Sequence, residues 1–112
     1  MQMETRTVYD VLVVDMSGRL DNATSGDAGD RLVAIVQGEH RQILLNLERV
    51  DYVSSAGLRI ILRGAKLLQV KRGEMRICGA KDDVREVLVT SGFNSLVKVH
   101  ATEKEAFSAF QA

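Results

Sequence analysis

Asp51-Tyr52-Val53-Ser54-Ser55-Ala56-Gly57-Leu58-Arg59-Ile60-Ile61-Leu62 (residues 51–62) is the stretch from which this chain is best read. A strand-like run, Ile43-Leu44-Leu45-Asn46-Leu47, leads through a short polar segment into two serines, a small residue, a glycine and a run of helical period. Serine is favoured where a chain enters a helix, because its oxygen accepts a bond from a free backbone N–H. A hydroxyl at that point is also exposed and lies at the positive end of the helix dipole. A phosphate attached there is accommodated without breaking the helix. Spacing alone gives both serines the plainer role of caps.

Outward from this stretch, strand and helix signals alternate. Residues 4–9 and 11–16 read as two strands with a tight turn near Tyr9-Asp10. Val11-Leu12-Val13-Val14 is apolar on both faces, which places it inside a sheet. Gly18 to Asn22 read as a turn, followed by a helix to about Gln37 with Ala28, Leu32, Ile35 and Val36 on one face. Gly26 and Gly29 weaken its start. The helix from about Ser55 to Val70 is expected to end at Gly73 as a glycine stop. Glu74 to Cys78 is the next strand, and Asp82 and Asp83 open a helix that stops by Gly92. Leu96 to Val99 reads as a short strand, and Thr102-x-x-Glu105 as a capping box opening a last helix with Ala106, Phe107 and Phe110 inward. The pattern predicts an α/β fold: a central mixed sheet of four to five strands with about four helices packed on it.

The helix after Ser55 carries apolar residues on two sides. Leu58, Ile61, Leu62, Ala65 and Leu68 make the face that the core should claim. Ile60, Gly64 and Leu67 make a second ridge, flanked by Arg59 and Arg63. Either another element covers this ridge or it is a docking surface for a partner with a hydrophobic centre and an acidic rim. The second reading makes Leu58, Arg59, Ile60, Arg63 and Leu67 partner-binding residues.

Composition narrows the function. With 112 residues and no proline, repeat or low-complexity tract, residues 1–112 read as a single domain with room for one core. Fifteen basic residues balance fifteen acidic ones, so the electrostatic footprint needed for nucleic acid or an anionic membrane is missing. The start of the chain lacks a signal-peptide layout and no apolar run approaches a span, so a cytoplasmic protein is expected. Cys78 reads as a buried reduced thiol. One cysteine with His40 and His100 gives no metal-ligand spacing, and no Gly-x-Ser-x-Gly elbow or nucleotide-binding glycine fingerprint is present. Neither a catalytic centre nor a cofactor is therefore expected.

Val50 to Leu62 resembles the phosphorylation segment of STAS domains, specifically the bacterial anti-sigma factor antagonists. The family pattern is Asp-Ser-Ser/Thr-Gly-Leu followed by a helix. Anchored on Gly57-Leu58, Ser55 falls on the phosphorylated serine, Ala56 on the second hydroxyl residue, and Ser54 replaces the aspartate. Ser17-Gly18-Arg19-Leu20-Asp21 looks like the family's Gly-Glu/Arg-Leu-Asp turn, Ile43 to Leu47 its central strand, Gly73 to Cys78 its late strand, and Thr90-Ser91-Gly92-Phe93 the end of its third helix. The resemblance implies that Asp21, Ser54, Ala56 and Gly57 surround the site, with the Asp21 carboxylate orienting the hydroxyl or meeting a kinase. Asn46 stands where many relatives carry aspartate, which removes one charge below the site. It further implies partner exchange, as a monomer or weak dimer. The unphosphorylated protein binds an anti-sigma factor, a serine kinase of the ATPase type, and frees a sigma factor. The kinase then phosphorylates Ser55, and a PP2C-type phosphatase resets it. A non-phosphorylated STAS scaffold or transporter-associated subunit is the alternative that the resemblance leaves open.

Overall fold

The computed structural model describes residues 1–111. Strand β1 (Gln2–Val8) turns back into β2 (Val11–Leu20) through Tyr9 and Asp10, both in the left-handed region at φ 51° and 65°. Two consecutive positive φ values give the turn twist that an antiparallel pair favours. From there the chain alternates: α1 (Ser25–Val36), β3 (Gln42–Val53), α2 (Ser55–Val70), β4 (Glu74–Cys78), α3 (Asp82–Thr90), a 3₁₀ turn at Phe93–Ser95, β5 (Lys98–His100) and α4 (Glu103–Gln111). The five strands form one mixed sheet in the order β1-β2-β3-β4-β5, antiparallel at β1/β2 and parallel elsewhere.

The expected run Ile43 to Leu47 lies in the middle strand, and its four apolar side chains are fully buried. Each such burial contributes about 1.5–3 kcal/mol. Alternation along β3 sends Ile43, Leu45 and Leu47 to one face, with α1, α2 and α3, and Leu44 to the other, with Ala106 and Phe110 of α4. Three helices thus cover one side of the sheet and one covers part of the other. No helix among the described residues is long and apolar enough to cross a membrane.

Several boundaries differ from the sequence reading, each for a local reason. The turn expected at Gly18 to Asn22 starts only at Asp21, because β2 continues to Leu20 beside β3. Gly18, at φ 107°, sits next to one of two register shifts in that pair. The strand expected to end at Leu47 runs on to Val53 for the same reason. The stop after α2 is a Schellman arrangement, with Arg72 N–H donating to Gln69 O and Gly73 N–H to Leu68 O. Its left-handed residue is Arg72 (φ 63°), not Gly73. Gly73 is required instead by space, since a β-carbon there would stand 2.6 Å from Arg41 O and from Leu68 Cδ1. The last strand spans Lys98–His100 and not Leu96 to Val99, because the 3₁₀ turn extends to Leu96 as its cap. Half of the expected capping box forms, with Glu105 N–H donating to Thr102 Oγ1 at 3.2 Å, while the Glu105 carboxylate accepts from Ala101 N–H, one residue before the cap, at 3.3 Å.

Candidate functional site

The two serines separate into different roles at the start of α2. Ser54 is the N-cap: its backbone is extended (φ −87°, ψ 173°) and its Oγ accepts from Gly57 N–H at 3.1 Å. Its own N–H donates to Leu20 O at 2.9 Å, which ties the helix start to the end of β2. Ser55 is the first helical residue and is exposed, and its hydroxyl makes no hydrogen bond within the described residues. The first turn of α2 carries no acidic residue, so the positive end of its dipole is uncompensated. Gly57 is buried against Leu20, where a β-carbon would stand 2.7 Å from the Leu20 carbonyl oxygen. Ala56 is half-buried between them.

Asp21 follows Leu20 and so sits next in the chain to this junction. Its Oδ1 accepts from Ala23 and Thr24 N–H at 3.0 and 3.1 Å, and Arg19 lies 3.6 Å from Oδ2. Desolvation works upward on its pKa, but the Thr24 and Ala23 bonds hold the carboxyl below the ordinary value. Its oxygens are therefore occupied in building the turn that enters α1, and no hydrogen bond joins them to Ser54 or Ser55. In this structure Asp21 forms the turn, as turn aspartates do, and does not orient the Ser55 hydroxyl. Asn46 is likewise engaged elsewhere. Its amide donates to Asp15 Oδ1 at 2.9 Å and its oxygen accepts from Glu48 N–H, so it belongs to the Arg6–Asp15–Glu103 network and not to the serine turn.

Charges flank the serines on neighbouring elements. The Arg19 guanidinium lies 4.5 Å from the centre of the Tyr52 ring, its partner across β2 and β3. Asp51 pairs with Lys81 at the start of α3, and the bond to Lys81 holds its carboxyl below the usual range. Among the described residues no group of three or more His, Cys, Asp or Glu side chains is placed to hold a metal ion. Cys78 is buried, and desolvation pushes its thiol up to about 12, which leaves it un-ionised and unreactive.

Helix α2 meets the rest of the protein on three sides, not the two that its period suggested. Gly57, Ile61, Ala65 and Leu68 are buried toward the sheet. The second ridge is covered: the β-carbon position of Gly29 on α1 lies 3.0 Å from Ile60 Cγ2, and that of Gly64 lies 2.9 Å from Leu32 Cδ2. The glycines that weaken both helices in isolation thus let α1 and α2 approach closely. Ile60 and Leu67 are half-buried as a result, whereas Arg59 and Arg63 are exposed. The open docking ridge expected on this side is therefore replaced by a helix–helix contact. The third side was assigned to the core, but Leu58 and Leu62 are only half-buried there. With Phe93 and Leu96 they line a groove of about 320 Å³ between α2 and the 3₁₀ turn. The sequence signal for it was modest, a Leu58/Leu62 pair one turn apart and an apolar pair just after Gly92.

The STAS domain profile matches residues 2–106. BtrV of Bordetella bronchiseptica, assigned as an anti-sigma factor antagonist, is 35% identical over 111 residues, covering 99% of this chain and 96% of that protein. The anti-sigma F factor antagonist of Paenibacillus polymyxa is 30% identical over 112 residues, with 99% and 96% covered. Among solved structures, the Bacillus anti-sigma factor antagonist SpoIIAA superimposes in its unphosphorylated form with a TM-score of 0.80, at 23% identity and with 98% and 96% of the two chains covered. Its phosphorylated form gives 0.73, at 22% identity and with 97% and 99% covered.

Proposed function

Since the chain belongs to the STAS domain family and matches anti-sigma factor antagonists along nearly its whole length, we propose that it works by partner exchange switched at Ser55. Unphosphorylated, it binds an anti-sigma factor of the ATPase kinase type, and a sigma factor is released. Phosphorylation of Ser55 by that kinase ends the binding, and a PP2C-type phosphatase restores it. The protein is a binder and a substrate in this cycle, with no chemistry of its own to perform.

The observation that carries this reading is the division between the serines. Ser54 holds the cap, while Ser55 presents a free, exposed hydroxyl at an uncompensated helix N-terminus. A phosphate adds a charge of about −1.5 to −2, which the dipole stabilises locally by about 1 kcal/mol. The fold therefore tolerates the modification, and its effect is left for the partner. Pressed into an interface, the same dianion must give up its water, which opposes binding. Incubating the protein with ATP and candidate ATPase-type kinases, then mapping phosphate by mass spectrometry, tests the assignment. Phosphate on Ser55 is expected, and phosphate on Ser54 or on neither serine would contradict it.

A further inference from the structure

Strand β1 forms one edge of the sheet, and among the described residues its only ladder is the one with β2. The hairpin decides which of its backbone groups are left over. Val8 and Val11 flank a two-residue turn, so they exchange both hydrogen bonds, and the pattern alternates from there. Val8, Arg6, Glu4 and Gln2 thus bond inward to β2, while the N–H and C=O groups of Met3, Thr5 and Thr7 point out of the sheet. Nothing blunts this edge. It holds no lysine and no proline, it pairs with β2 without a register shift, and Glu4, Thr5, Arg6 and Thr7 are all exposed. Glu4 forms no ion pair with another described residue. Arg6 meets Asp15 and Glu103 through Nε and Nη2, and its Nη1 bonds to no described residue.

We propose that β1 pairs antiparallel with β1 of a second copy, about a two-fold axis through Thr5, and so joins two five-stranded sheets into one. The outward groups sit on alternate residues, so only registers that set Met3, Thr5 and Thr7 opposite one another complete the new ladder. Centring the pair on Glu4 or on Arg6 keeps the ladder, but it brings like charges face to face and shortens the overlap. Centring it on Thr5 uses the whole of Gln2–Val8. Met3 then exchanges bonds with Thr7 of the copy, and Thr5 with its own symmetry mate. Glu4 stands opposite Arg6 on both sides of the axis, in the pairs that lack backbone bonds and bring side chains closest. Exposed ion pairs add little affinity. Here they select the register, while the backbone ladder joins the strands. The opposite edge, β5, spans only Lys98–His100 and offers β1 no complement of its own length, so the contact closes as a dimer and not as a filament. The inference is independent of the switch at Ser55, since α2 packs on β3 and β4.

Sedimentation equilibrium of the full chain, from about 1 μM to about 1 mM, tests the pairing. The wild type is expected to pass from monomer to dimer within that range. Glu4→Arg sets like charges opposite each other on both sides of the axis. Thr5→Pro removes an outward N–H at an edge position, which proline tolerates. Each should raise the dimer dissociation constant at least about tenfold, while Glu86→Arg on α3, the same change of charge, leaves it unaltered. Mixing Glu4→Arg with Arg6→Glu should restore association, because each arginine then meets a glutamate. In hydrogen exchange the amides of Met3, Thr5 and Thr7 should slow as concentration rises, and those of Glu4 and Arg6, bonded within the hairpin, should not change. Thermal melting checks each fold. Should Arg6→Glu unfold through loss of its contacts to Asp15 and Glu103, Glu4→Arg and Thr5→Pro still decide the matter. A wild type that stays monomeric at about 1 mM would overturn the inference and leave the edge to a strand of another protein. A dimer that either folded variant leaves within about twofold of the wild-type constant would place the interface elsewhere and overturn it as well.

Discussion

The Leu20 carbonyl oxygen accepts the Ser54 N–H at 2.9 Å and lies 2.7 Å from the position a β-carbon would take on Gly57. One oxygen at the end of β2 thus fixes the entry of α2 and demands glycine three residues into it. The serine turn is held by the sheet, which leaves its exposed hydroxyl free of any structural duty.

Gly57→Ala should therefore move the turn. The added methyl meets Leu20 O and Leu20 Cγ, at 2.7 and 2.8 Å, so either β2 or the helix start must shift. Overpacking of this kind costs about 1–3 kcal/mol. The helix propensity gained by alanine is under about 1 kcal/mol so near a helix terminus and does not reverse the sign. Urea denaturation measures the change, and a variant as stable as wild type would mean that Leu20 does not hold this junction.

Leu45→Ala removes a fully buried side chain from the middle strand. A loss of about 2–5 kcal/mol is expected from transfer and cavity formation together. A loss below about half a kilocalorie would place β3 away from the centre of the core.

The same strand marks how far the sequence could be read. Ile43 to Leu47 was legible because a continuous apolar run buried on both faces has few other homes. Its continuation through Glu48, Arg49, Asp51 and Tyr52 was not, because these exposed residues flank the two register shifts beside β2 and keep no clean alternation. In α2 the capping Ser54 and the helix limits were readable from local chemistry. Which side of α2 stayed open was not, since Leu58, Ile60, Ile61 and Leu62 look equally apolar until α1 and the Phe93–Ser95 turn are in place. Asp21 follows Leu20 in the chain and so stands next to the junction. Its actual partners, the N–H groups of Ala23 and Thr24, needed coordinates to separate from Ser55.

Stability should fall on mild acidification through His100. With its proton on Nδ1, the imidazole Nε2 accepts from Arg76 at 3.0 Å. Burial, then repulsion from Arg76, holds its pKa below the ordinary 6.5, against smaller upward pulls from Glu105 and Glu74. The unfolded chain consequently takes up the proton first. The contribution is fully present above about pH 6.5 and is lost as pH falls below that value. Unfolding free energies from pH 7.5 to 5.5 should decline in the wild type and decline less in His100→Gln. Equal slopes would show that His100 titrates alike in both states.

The central claim is that charge on Ser55 decides binding while leaving the fold alone. Ser55→Ala should bind the anti-sigma kinase constitutively, and Ser55→Asp should fold normally and bind poorly. The most direct measurement is calorimetric titration of that kinase with the unmodified chain and with the chain phosphorylated at Ser55. Turning binding from nearly complete to nearly absent requires a differential affinity of about 10⁴, or about 5.5 kcal/mol. A loss of that order, with unchanged melting behaviour, is the predicted result, and equal affinity of the two forms would contradict the account.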